Sequence, residues 1–145
     1  MTRGQLEAQA KIWLPDAWIS GTPPEHTELL RSTEASMPSH YRRAILGRQD
    51  RTLEPMIRAG SLVLIDTQKR SIATRREWNH EFDRPIYFLL TRHGYIAGFC
   101  ELERDTDWLT VIPHALSFES NRRFRLNREA EVIGTIVGVV LRRTQ

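Results

Sequence analysis

The chain reads as a mainly β, barrel-like domain, and three observations carry that reading. From residue 41 onward, short apolar and β-branched segments recur at near-regular intervals, with turn-rich stretches between them. Ala130–Arg142, AEVIGTIVGVVLR, is the longest β-branched run and holds Gly134 and Gly138, two residues that weaken a helix. Two more β-rich runs, Ile86–Arg92 and Tyr95–Arg104, flank His93-Gly94 in the pattern of a hairpin.

Length and composition set the frame. A chain of 145 residues fits one domain with a real core and is short for two. Its 40% hydrophobic and 27% charged content is that of a soluble globular protein. No apolar run approaches the roughly 20 residues of a membrane helix. The opening MTRGQLEAQAK lacks the apolar core of a signal peptide. Cys100 is the single cysteine, which suits a reducing cytoplasm and a buried place in a strand.

In chain order, Leu6, Ala10, Trp13 and Leu14 share one helical face, and Pro15 ends that weak pattern. Residues 20–39 carry Pro23, Pro24 and Pro38 among serines and threonines, a linker composition. The division is therefore 1–40, N-terminal segment and linker, and 41–145, the β domain. Tyr41–Arg48 fits helix or strand on local grounds. Next comes Gly47–Asp66, GRQDRTLEPMIRAGSLVLID: Pro55 sets a turn, Gly60 permits a positive φ, and Ser61–Asp66 is a strand apolar on both faces. Thr67–Arg84 is a long arginine-rich loop with Trp78 or Phe82 tucked down. The hairpin follows, then a turn at Asp105-Thr106-Asp107 and a strand over Trp108–Pro113. In the last strand, Gly134 and Gly138 mark bulges or close backbone approaches.

The charge pattern limits the chemistry. Of 21 basic residues only Lys11 and Lys69 are lysines, and the other nineteen are arginines, which cannot act as general bases near neutrality. The clusters Lys69-Arg70, Arg75-Arg76 and Arg122-Arg123-Phe124-Arg125 with Arg128 fit either a solvated face or contact with nucleic acid. His26, His40, His80, His93 and His114 are scattered without metal-ligand spacing, and no phosphate-binding glycine pattern occurs, so neither metal nor cofactor is expected. Trp78, Trp108, Tyr87, Phe88 and Phe99 are expected in the core or an interface.

From about Tyr41 to Arg142 the ordered pieces resemble the C-terminal domain of LexA-type and phage repressors, in the superfamily that includes signal peptidases. Those pieces are Thr52-Leu53-Glu54-Pro55 with Ile57 and Gly60, the Leu62–Asp66 strand, and Ile86-Tyr87-Phe88-Leu89 followed by His93-Gly94. Leu109-Thr110-Val111-Ile112 and Glu131–Val139 complete the set. The resemblance implies a strand at Tyr41–Arg48 and a β-clip type of domain. It also implies a Ser–Lys dyad, in which a neutral lysine takes the proton from a serine that attacks a peptide bond.

Both dyad positions depart from that pattern. Thr52 stands where the family has serine, and Tyr95–Leu102, the strand that carries the lysine, has none. Self-cleaving repressors cut an Ala-Gly type of bond before the domain; here Ala59-Gly60 and Ala97-Gly98 lie within it, and residues 1–40 have none. The chain is thus expected to be no enzyme, with Thr52 a vestigial nucleophile position and no catalytic residue. The function implied is a non-catalytic dimerisation or sensing domain of a cytoplasmic bacterial transcriptional regulator. Its partner would be a second copy, paired through the C-terminal strand with Val132, Ile133, Ile136, Val137 and Val139 as interface candidates, and no membrane is expected. DNA would be reached through a helix-turn-helix not present in this chain. Two alternatives stand: an active peptidase using Thr52 with Lys69, and a direct nucleic-acid binder acting through the arginines.

Overall fold

The computed structural model describes residues 17–21 and 40–141. The N-terminal helical pattern, most of the linker and the Phe82 side chain lie outside the described residues. The fold is mainly β: eight strands form one curled, half-barrel sheet in the order β1-β2-β3-β8-β4-β5-β6-β7. In chain order they are β1 (Trp18–Ile19), β2 (Tyr41–Ile45), β3 (Leu62–Asp66) and β4 (Ile86–Thr91), then β5 (Gly94–Leu102), β6 (Trp108–Ile112), β7 (Arg122–Arg125) and β8 (Ala130–Leu141). All neighbours pair antiparallel except β1 and β2, which are parallel. Tyr41–Ile45 is a strand, which settles the segment left open by its local pattern.

β8 joins the two ends of the sheet. Its first half, Ala130 to Ile136, pairs with β4, and Thr135 to Leu141 pairs with β3. Register shifts interrupt both ladders, so the strand bends as it passes from one partner to the other. At Gly134 a Cβ would stand 2.5 Å from the Asp66 carbonyl oxygen, so this glycine permits a close approach to the end of β3. At Gly138 a Cβ would meet nothing within 4 Å. One of the two glycines therefore marks a backbone contact.

β3, β4 and the first seven residues of β5 are largely buried on both faces, as their apolar runs require. On one face of the sheet, Trp18, Phe88 and Tyr95 stack with centroids 5.3–5.8 Å apart, against Leu46, Leu53, Ile57 and Val63. On the other face Tyr87, Leu89, Ile96, Leu109, Val111 and Val132 form a second cluster around Cys100. Neighbouring residues of β4 and β5 go to opposite clusters, as the two-residue strand period dictates. Trp18, from the segment read as N-terminal to the domain, belongs to the first cluster. β1 aligns it with Ala44, and the Gly21 amide donates to the Tyr95 carbonyl at 2.6 Å.

The arginine-rich stretch 67–84 is a covering loop with two single turns of 3-10 helix, Arg75–Glu77 and Glu81–Asp83. Trp78 is tucked down at 9% exposure. The Tyr87 hydroxyl holds the loop, donating to the Ser71 carbonyl and accepting from the Ala73 amide. β7 is the strand that composition concealed: Arg122-Arg123-Phe124-Arg125 looks like a charged surface run, yet it pairs residue for residue with β6. Among the described residues no helix is long and apolar enough to cross a membrane.

Candidate functional site

The stretch 47–60 forms a closed loop between β2 and β3. The Leu46 amide donates to the Ser61 carbonyl at 3.0 Å, and the Gly60 amide donates back to the Leu46 carbonyl, which pins the two ends together. Gly60 has φ +89°, the left-handed conformation that glycine adopts without strain. Within the loop the Glu54 carboxylate accepts the Ala59 amide at 3.0 Å, and the Glu54–Pro55 peptide is cis. From outside, the Thr52 carbonyl accepts the His114 amide at 2.8 Å, and Ser117 Oγ donates to the Arg51 carbonyl at 2.8 Å. The segment after β6 therefore clamps the turn that carries Thr52.

Thr52 is 2% exposed, and its side chain meets three neighbours of different chemistry, two at the hydroxyl and one at the methyl group. Its proton goes to Asp50 Oδ1, at 2.7 Å. Its lone pairs face the Arg122 guanidinium of β7, which donates at 3.1 Å. Its methyl group lies against β5 at Gly98, where an added Cβ would be 3.1 Å from Thr52 Cγ2 and 2.8 Å from Val111 Cγ1. Asp50 is buried and well satisfied. Its Oδ1 also accepts the Thr52 amide, and its Oδ2 accepts the Ala97 amide of β5, each at 3.3 Å. The carboxylate thus ties loop to sheet.

What this arrangement can do follows from its proton inventory. A serine- or threonine-type nucleophile needs a base that takes the hydroxyl proton, and guanidinium takes none. Among the described residues the only base touching the hydroxyl is a carboxylate, which is far weaker than a neutral amine. Lys69 is exposed on the loop after β3 and lines a separate cavity with Tyr87 and Thr135, one that shares no lining residue with the cavity beside Thr52. Lys11 lies outside the described residues.

Sequence reasoning pointed to Thr52 and missed its partners. Asp50-x-Thr52 is the spacing at which an aspartate caps the backbone two residues on, so that signal was present. Arg122 is 70 residues away in sequence, and only the β6–β7 ladder brings it in. Gly98 carried no signal beyond being a glycine inside a strand.

The other expected groups fall elsewhere. Val132 is buried in the second core cluster, and Ile133, Ile136 and Val139 are partly buried against the first. Of the five interface candidates only Val137, at 42%, is well exposed, and Val140 joins it at 55%. β8 is flanked by β4 up to Ile136 and by β3 from Thr135, so among the described residues no strand pairs with it on the β4 side beyond Ile136 or on the β3 side before Thr135. Phe88 and Phe99 are buried in the core, and Tyr87 with them.

The β7 arginines divide by partner. Arg123 pairs with Glu103 at 3.0 Å and Arg125 with Asp107 at 3.1 Å, and both guanidiniums stack on Trp108, 4.4 and 4.5 Å from its ring centre. Arg75 and Arg84 stack on Trp78 in the same way, and Arg84 also faces Glu81 and Glu101. Cys100 is buried, and burial pushes its thiol well above the usual range, against a smaller opposing effect of Arg84. Among the described residues no three His, Cys, Asp or Glu side chains gather as a metal site. No protein-family model matches this chain, and neither does any curated protein sequence.

Proposed function

We propose that this chain is a non-catalytic β domain of the LexA-type repressor kind, acting in a bacterial transcriptional regulator by self-association and sensing. One observation carries the reading: the hydroxyl at the nucleophile position is buried between Asp50 and Arg122, with Gly98 against its methyl group. Gly98 lies on the strand where the resemblance puts the lysine base. A glycine there supplies no amine, and Arg122 occupies the hydroxyl's acceptor side. The residual carboxylate orients the hydroxyl without generating an alkoxide. The resemblance, the mainly β fold and this altered dyad support the same conclusion.

The ion pairs of Arg123 and Arg125 weigh against a direct nucleic-acid binder, because charges already matched at 3.0–3.1 Å release fewer counterions to a phosphate. In this reading a helix-turn-helix outside the chain contacts DNA, and the exposed end of β8 around Val137 and Val140 meets a second copy. Two measurements test it. Light scattering well above micromolar concentration should find a dimer that Val137→Lys with Val140→Lys converts to monomer; a monomer at the start removes the pairing. Prolonged incubation of the purified protein beside Thr52→Ala should leave both intact. Cleavage that depends on Thr52 overturns the non-catalytic reading.

A further inference from the structure

A cavity of about 420 Å³ opens beside Thr52, at the size of a small-molecule site. One wall is polar: Arg122, His93, Gln49 and Thr91. Ile96 and Phe124 supply apolar lining. Its charges are unequally committed. Asp50 faces the cavity but accepts three hydrogen bonds from the protein, and Arg123 is matched by Glu103. Glu119 is an exposed rim residue, with no ion pair to a described residue. Arg122 has the Thr52 hydroxyl as its hydrogen-bond acceptor and no carboxylate within 4 Å among the described residues. A guanidinium has five N–H donors in a rigid fork, so one bond to a neutral hydroxyl leaves most of that capacity open.

We propose that this cavity binds a small organic carboxylate, its anionic end held by Arg122 and its apolar body against Ile96 and Phe124. A bidentate carboxylate–guanidinium pair is the charge-assisted contact such a fork is shaped for. The Thr52 hydroxyl, already fixed by Asp50, holds the guanidinium in place from behind. The site would supply the effector of a sensing domain, yet its existence does not depend on dimerisation or on the absence of peptidase activity.

Benzoate, benzamide and inorganic phosphate are titrated into the full chain, with amide NMR shifts at Thr52 and Ala97 as readout. Benzoate is expected to give a saturable shift there, with benzamide, the uncharged isostere, and phosphate, which lacks the apolar body, much weaker. Arg122→Gln should weaken benzoate about tenfold or more, and Arg128→Gln, exposed and outside the cavity, should not change it. Four outcomes overturn the proposal: no saturable shift up to about 10 mM, equal binding of benzamide, phosphate binding as tightly as benzoate, or Arg122→Gln binding like the parent. A folded spectrum for Arg122→Gln, checked first, keeps loss of binding distinct from loss of fold. If light scattering finds a monomer while benzoate still binds, the self-association reading fails and the site stands.

Discussion

The Thr52 corner and the β6–β7 ribbon are both built from arginine beside carboxylate, yet they differ in what the charges do. In the ribbon, Arg123–Glu103 and Arg125–Asp107 tie β7 to the β5–β6 turn; they are about half exposed, with both guanidiniums laid over Trp108. Water competes for every one of those charges, so each pair is worth little. In the corner, Asp50 is 9% exposed and gathers two amides and a hydroxyl, while Arg122 closes the hydroxyl from the cavity side. There, removing one partner strands several buried donors. The same residue type on neighbouring positions of β7 thus serves surface cohesion at 123 and 125 and, at 122, reaches inward from an exposed position to the buried Thr52 hydroxyl.

The contrast can be broken from its strongest point downward. Asp50→Ala leaves the Thr52 hydroxyl and the Thr52 and Ala97 amides without their acceptor, and should cost about 3 kcal/mol in chemical denaturation. A loss under about 1 kcal/mol would mean that water replaces the carboxylate and that the corner is no junction. Gly98→Ala adds a methyl group against Val111 and Thr52, with an expected loss of about 2 kcal/mol. Thr52→Val keeps the shape and removes the hydroxyl, so about 1–2 kcal/mol should follow. In the ribbon, Glu103→Gln should change stability by no more than about 0.5 kcal/mol, and less in high salt. If Glu103→Gln matched Asp50→Ala, burial would not be what separates the two regions.

Alkaline pH probes the buried face behind the ribbon. Burial raises the pKa of both Cys100 and Tyr87 in the folded chain, holding each in its neutral form. A folded-state pKa above the unfolded one means the unfolded chain releases its proton first. Stability is therefore complete below the ordinary thiol range and declines as pH rises through it, then further through the tyrosine range. Denaturant midpoints between pH 7 and pH 10 should show that decline, with Cys100→Ala removing its earlier part. A thiol reagent should label the native protein far more slowly than the unfolded one.

The β architecture was legible because β3, β4 and most of β5 are buried on both faces and so appear as apolar runs, while the Ala130 stretch is marked by its β-branched residues: Leu62–Asp66, the Ile86 hairpin and the Ala130 stretch are all where their composition put them. β7 escaped notice because an edge strand can carry arginines on an accessible face, and period alone does not separate RRFR from a solvated turn. Trp18 escaped because two residues of strand leave no periodicity to read; it is held by long-range stacking on Phe88 and Tyr95. The site was half legible for the same reason. Asp50 and Thr52 are two residues apart, whereas Gly98 and Arg122 reach them only through the ladders β5–β6 and β6–β7.

The dual pairing of β8 has a consequence for the order of assembly. Among the described residues, apart from the Ser20–Tyr95 bridge, the ladders that join β1–β3 to β4–β7 run through β8, the last of these strands to be synthesised. Until it arrives, β3 and β4 each expose an apolar edge to whatever strand is nearest. Completion of the domain is therefore a late, long-range closure, and a nascent chain halted before residue 130 presents two unfinished sheets.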